Sequence, residues 1–186
     1  MRKLNSFTFI TLNGFYKGLN EDISWHKERS GDEENKYSLE SIKSDNMLLF
    51  GRVTYEMMSG WWPGDEAKKQ MPEMAEGMNK ADKVVFSRTI EHADWENTKV
   101  ISGDLIAEVN KMKQEARKDM TLLGSGSVLT QLAEHNLIDE FKILIDPLVI
   151  GAGTTLFKDI GKKMDLKLIS GRSFKSGAVL VRYQPK

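Results

Sequence analysis

MLLFGRVTYE (residues 47–56) runs an unbroken apolar strand straight into a turn of Gly, Arg and Thr. A continuous apolar run is what a strand covered on both faces of a parallel sheet requires. The same pattern returns in KVVFSRT (83–89) and in TLLGSGSVLTQL (121–132). A buried strand that ends in backbone amides, hydroxyls and guanidinium groups suits a phosphorylated ligand. Three of these ends side by side at one edge of a sheet form a long cleft with anion-binding walls. Each segment alone is unspecific, but their order and repetition point to a nicotinamide dinucleotide.

The composition fits that reading. At 186 residues the chain is long enough for one domain with a substantial core and short for two, so residues 1–186 are expected to form a single domain. Lys plus Arg and Asp plus Glu each number 27. This balance argues against a general nucleic-acid or membrane-surface binder and favours a small-molecule partner. No apolar run approaches a membrane span, and MRKLNSFTFITL (1–12) alternates as a strand does, so a soluble, cytoplasmic protein is expected. The chain has no Cys, which excludes disulfides, thiolate catalysis and Cys-ligated zinc. His26, His92 and His135 lie far apart without a partner at metal-ligand spacing; they read as surface or capping residues, and no metal is expected.

Around the three segments, residues 6–12 alternate and stop at Asn13-Gly14, giving a first strand, and 13–32 read as an ordered loop. Asp32, Asn35, Leu39 and Ile42 fall on one stripe of a helix over 32–44 that would face the sheet. A helix follows from Thr54 to the Trp61-Trp62-Pro63-Gly64 break, another covers 71–79, and 83–86 is a strand. Asp104 N-caps a helix carrying Leu105, Ile106, Val109, Met112 and Ala116. Residues 120–123 form a strand, the next helix stops near Asn136, and 141–145 form a further strand. Residues 165–174 and 178–184 flank Lys175-Ser176-Gly177 as a hairpin. Strands alternating with helices and then a closing hairpin imply an α/β fold with a mostly parallel sheet and an antiparallel edge.

At the turns, Gly51 allows close backbone approach, Arg52 can pair bidentately with phosphate, and Thr54 stands at a helix N-terminus. An ordinary strand-to-helix turn with an exposed Arg remains the alternative. Ser87 and Arg88 hold the same relation to their strand, and two Arg at adjacent strand ends would favour NADP over NAD. Gly124 and Gly126 precede a helix whose amides could converge on a pyrophosphate, or they serve only a tight turn. Gly151-Ala152-Gly153 either shapes a pocket or acts conformationally.

As a set, TLNGFYKGLNEDISW (11–25), DNMLLFGRVTYEMM (45–58), KVVFSRT, LLGSGSVLTQLAEHNLIDEFKILIDPLVIGAGTTLF (122–157) and the hairpin resemble the dihydrofolate reductase-like superfamily. Within it, the chain is similar to the reductase domain of bacterial riboflavin biosynthesis and its stand-alone relatives. The resemblance implies a three-layer α/β/α sandwich and NADPH-dependent reduction of a pteridine- or pyrimidine-type ring. It places Gly51, Arg52 and Thr54 at the cofactor phosphates and Ser87 and Arg88 near the 2′-phosphate. Gly124, Ser125, Gly126, Ser127 and Val128 would line the pyrophosphate and nicotinamide side, and Asn13, Gly14 and Gly18 would cover the nicotinamide. Where many dihydrofolate reductases have consecutive glycines, this chain has Gly124-Ser125.

The chemistry departs more. Dihydrofolate reductases carry an acid in the first helix after a Trp that Trp25 resembles. Counting forward from Trp25 reaches Ser30, and counting back from Gly51 reaches Asn35. Asp32, Glu33 and Glu34 lie between, and of these Asp32 shares the stripe with Asn35, so Asp32 is the expected proton donor, with Trp25 and Asn35 at the substrate. Asp32 could instead be a plain helix N-cap. The expectation is an NADPH-dependent oxidoreductase of a small heterocycle; the alternative is a non-catalytic nucleotide-binding protein of the same fold. The resemblance also implies a homodimer through 141–157, with Leu148, Val149, Ile150, Leu156 and Phe157 as its apolar material.

Overall fold

The computed structural model describes residues 1–27, 31–115 and 117–186. In chain order the strands are β1 (Leu4–Thr11), β2 (Phe15–Lys17), β3 (Met47–Gly51), β4 (Lys83–Phe86), β5 (Thr98–Ile101), β6 (Met120–Leu123), β7 (Glu140–Asp146), β8 (Thr154–Thr155), β9 (Leu166–Ser173) and β10 (Val179–Pro185). The helices are α1 (Ser24–Lys27), α2 (Asp32–Lys43), α3 (Arg52–Ser59), α4 (Asp65–Gln70), α5 (Pro72–Lys80), α6 (Leu105–Glu115) and α7 (Gly126–Glu134).

One eight-stranded sheet has the order β5-β4-β3-β6-β1-β7-β10-β9. It is parallel from β5 to β7 and becomes antiparallel at β10 and β9. β2 and β8 pair separately. Side chains alternate along each strand, so the two sheet faces bury different clusters. Leu4, Leu49, Val84, Met120, Leu122 and Phe141 pack with Val109 of α6 and Leu129 and Leu132 of α7. On the other face Leu48, Phe50 and Val85 pack with Tyr55 of α3, Met74 and Met78 of α5, and Leu39 and Ile42 of α2. The result is the α/β/α sandwich of the dihydrofolate reductase-like fold.

Local signals set many element ends. Asp104 Oδ1 accepts the Ala107 amide at 2.8 Å and caps α6. Asn136, at φ 54°, follows α7 in the left-handed conformation. Gly177, at φ 89°, turns the closing hairpin. Ala116, expected on the α6 stripe, lies outside the described residues, as does Ser30.

Several features differ from expectation. The 13–32 segment contains β2, a short 3-10 turn at Leu19–Glu21 and α1. β5 and α4 are additional elements; Thr98–Ile101 alternates only briefly, and Asp65–Gln70 has a single buried residue, Ala67. α2 buries a broader arc than the stripe of Asp32, Asn35, Leu39 and Ile42. Glu34 is buried and Tyr37 packs on Phe7 and Phe174, which turns Asp32 outward with Lys36 and Glu40. The N-cap of α2 is Gly31, so Asp32 does not fill that role either.

Candidate active site

The parallel strands β1, β3, β4, β6 and β7 deliver their C-terminal ends to one edge of the sheet. There the starts of α3 and α7 are joined. The Gly51 amide donates to Ser125 Oγ at 2.7 Å, and Ser125 Oγ donates to Thr54 Oγ1 at 3.0 Å. Gly124 and Ser125 are both left-handed, at φ 55° and 58°, and no cis peptide occurs among the described residues. A Cβ on Gly51 would sit 3.1 Å from Val128 Cγ2, so glycine is what lets β3 close on α7. Neither α3 nor α7 has a side-chain cap or an acidic residue in its first turn. The leading amides of a helix have no intrahelical acceptor and carry the positive end of its dipole. Two such ends therefore converge on this corner, and neither first turn supplies a carboxylate to them. In contrast, α2, α4 and α5 all have acids in the first turn.

The turn residues thus come together: Gly51, Thr54, Gly124, Ser125, Gly126, Ser127 and Val128 occupy one corner. Arg52 is exposed at its rim and pairs with Glu56 at 2.8 Å, one turn along α3. Ser87 is buried, and its Oγ accepts the Thr89 and Ile90 amides at 3.1 and 3.0 Å, which shapes the β4 turn and leaves Arg88 exposed. Tyr16 lies against Gly126; a Cβ there would meet its ring at 2.7 Å.

The loop over the edge is tied down. Asn13 Nδ2 donates to the Ile150 carbonyl at 2.8 Å, and Thr11 Oγ1 donates to Asn13 Oδ1 at 2.8 Å. The Gly14 carbonyl accepts the Leu156 amide at 2.9 Å. Gly18 is buried and packs against Gly153, whose added Cβ would fall 2.2 Å from the Lys17 carbonyl, so Gly153 serves a close backbone approach.

On the α2 side of the same edge lies an aromatic floor. Trp25 is 7 % exposed and meets Phe9 edge-on with centroids 5.8 Å apart. His26 stacks on Phe9 at 3.7 Å and 10°, and its Nδ1 lies 2.7 Å from Asp146 Oδ2. Asp146 ends β7 in register with Thr11. His26 is therefore not the surface or capping residue expected from sequence. Asn35 is half-buried, whereas Asp32 is exposed; the buried acid of α2 is Glu34, which accepts a hydrogen bond from Ser176 Oγ. Burial raises the Tyr37 phenol above its ordinary value, so it stays neutral near pH 7. Burial also lowers the Lys142 ammonium on the neighbouring strand. Phe9, Tyr16, His26 and Asp146 were not legible as candidate site residues. The His26–Asp146 pair spans 120 positions, and no local pattern joins residues so far apart.

A family model described as the RibD C-terminal domain matches residues 2–180. The Bacillus subtilis (strain 168) protein YyaP is 30 % identical over 174 residues, covering 94 % of this chain and 90 % of YyaP. A Shewanella sp. PV-4 protein assigned to riboflavin biosynthesis superposes with a TM-score of 0.77 at 16 % identity, covering 100 % and 99 % of the two chains. A pyrimidine reductase-like protein from Corynebacterium diphtheriae superposes with a TM-score of 0.66 at 13 % identity, covering 100 % and 92 %.

Proposed function

The chain belongs to the RibD C-terminal domain family, and from that premise we propose that it is an NADPH-dependent reductase of a small pyrimidine- or pteridine-type heterocycle. The observation that carries the reading is the corner where α3 and α7 present uncapped, acid-free N-termini joined through Gly51, Ser125 and Thr54. That donor set fits a dinucleotide pyrophosphate: backbone amides, hydroxyls, and glycine where a side chain would crowd the approach. Gly124, Ser125, Gly126, Ser127 and Val128 would hold the pyrophosphate, with Arg52, Ser87 and Arg88 toward the 2′-phosphate. Asn13 and Gly14 would cover the ring, in a turn already fixed to Ile150 and Leu156. Bound NADPH supplies a hydride. The chain would contribute alignment of the two rings beside the Asn13-Gly14 turn, and exclusion of water by the β1–β2 turn.

Two measurements test this. NADPH titrated into the protein should quench intrinsic Trp fluorescence saturably. NADPH absorbance should then fall when dihydropterins or aminopyrimidines are added. Saturable binding without turnover against every ring would favour the nucleotide-binding alternative, and absence of binding would overturn the reading altogether.

A further inference from the structure

Toward the sheet edge opposite the glycine corner, the face under α2 turns polar. Leu144 and Leu180 pack on that face with Phe7, Phe9 and Tyr37. Side chains alternate along a strand, so residues two positions away share the face. Phe7, Lys142 and Arg182 form one row across β1, β7 and β10, and Asn5 stands beside Glu140 in the next. At the foot of these strands opens a cavity of about 310 Å³, walled by Lys3, Asn5, Asp139, Glu140 and Gln184 among others. Glu140 and Asp146 are the two ends of β7, so at the rise of a strand the cavity lies about 20 Å from the edge that carries the glycine corner.

The two acids of the cavity are already engaged. Arg182 grips Glu140 as a fork, with Nε donating to Oε1 at 2.6 Å and Nη2 to Oε2 at 3.1 Å. Asp139 Oδ2 accepts Lys113 Nζ at 2.5 Å and the Leu4 amide at 2.7 Å. The lysines are not engaged in this way. Among the described residues, neither the Lys3 nor the Lys142 ammonium has a hydrogen bond or an ion pair. Lys142 is half-buried, and burial lowers its ammonium, with Glu140 opposing the shift and Arg182 adding to it. An ammonium withdrawn from water without an acceptor is costly, and an anion beside it removes that cost. The Asn5 and Gln184 amides add donors that carry no charge.

We propose that this cavity is a second ligand site, for a phosphate group, free or as a monoester, held by Lys3 and Lys142 with the Asn5 and Gln184 amides on its oxygens. A phosphate brings several strong acceptor oxygens to these donors, and its charge answers the two ammonium groups. Arg182 and Lys113 cancel the carboxylates that would otherwise repel it. The site is independent of the reductase reading, since no residue of the glycine corner takes part.

The test is a titration of the isotope-labelled full chain with inorganic phosphate and with glycerol phosphate, with glycerol and chloride as controls at constant ionic strength. Backbone amide shifts distinguish this cavity from the glycine corner, which has anion-binding amides of its own. Saturable shifts are expected at Asn5, Glu140, Lys142 and Gln184. Lys142→Met should weaken them by about tenfold or more, while the response at Ser125 and Gly126 stays as in the parent. Lys3→Met, at an exposed position that the fold does not use, should weaken them by about threefold or more. Tighter binding of glycerol phosphate than of phosphate assigns a monoester; equal or weaker binding assigns the free ion. Saturable shifts confined to Ser125 and Gly126, no saturable shift at all, or unaltered affinity in either methionine variant overturns the proposal.

Discussion

At the scale of single residues, the exposed arginines carry a sharp expectation. Arg52 and Arg88 stand at adjacent strand ends, and each charge-assisted contact to a 2′-phosphate contributes about 1.5–3 kcal/mol. Arg88→Ala should therefore weaken NADPH much more than NADH in calorimetric titration. Arg52→Ala should do so less, because the parent guanidinium must give up Glu56 at 2.8 Å before it can turn to a ligand. Equal affinity of the parent for both cofactors would remove the two-arginine clamp. A second residue tests the interior. Thr8 is 4 % exposed, and its Oγ1 has no hydrogen-bond partner among the described residues. Leaving a hydroxyl unsatisfied costs about 1–3 kcal/mol, so the nearly isosteric Thr8→Val should raise the urea midpoint without changing the slope. A lower midpoint would mean that the hydroxyl does have a partner.

At the scale of elements, α5 ends on an unusual cap. Lys83 opens β4, is 2 % exposed, and donates from Nζ to the Met78, Asn79 and Ala81 carbonyls at 2.9, 2.9 and 2.6 Å. An ammonium has three hydrogens for these three carbonyls, which α5 leaves without intrahelical donors. The Trp95 ring lies 4.6 Å from the same nitrogen. Lys83→Met keeps the length and removes the donors, so it should destabilise by about 1–3 kcal/mol in urea denaturation. Burial pulls the Lys83 ammonium from 10.5 down to about 8. Below about 8 it is charged in both folded and unfolded chains, and the full burial penalty is present. As pH rises beyond that value the folded amine sheds its proton while the unfolded one keeps it, so stability should climb toward the ordinary lysine range. The parent's stability relative to Lys83→Met should accordingly grow between about pH 8 and 10; a constant difference would contradict the lowered value. Elements like β4 and β6 were legible because a strand buried on both faces reads as a nearly continuous apolar run, as Val84-Val85-Phe86 and Leu122-Leu123 do. α6 and α7 were legible because their apolar stripes meet Asp104 and Asn136 at the ends. β5 was not, since a short edge strand with exposed Lys99 needs no distinctive pattern. The outward turn of Asp32 depends on Glu34 finding Ser176 in the distant hairpin, and local periodicity cannot register such a partner.

At the scale of the whole molecule, the sheet has two different edges, and this bears on assembly. Leu156 and Phe157, read from sequence as dimer material, instead enter the core, with Phe157 packed on Phe141 at 5.7 Å. β7 cannot pair with a second chain through its backbone, because β1 and β10 already occupy both of its sides. Two surfaces are candidates for a homodimer. One is the loop after β7, where Val149 is 65 % exposed. The other is β9, an eight-residue outer strand exposed along nearly its whole length, with Leu168 at 54 % and Ile169 at 40 %. A long exposed edge strand is a template for another strand unless something covers it. A second copy related by a two-fold axis would cover it with the same surface. The expected outcome is a dimer in light scattering across a dilution series, in which Ile169→Lys dissociates the pair and Val149→Asp does not. The reverse pattern would move the contact to the loop after β7. A parent that is monomeric at every concentration would exclude pairing at either surface, while leaving the cofactor corner and the His26–Asp146 pair untouched, since both lie within a single chain.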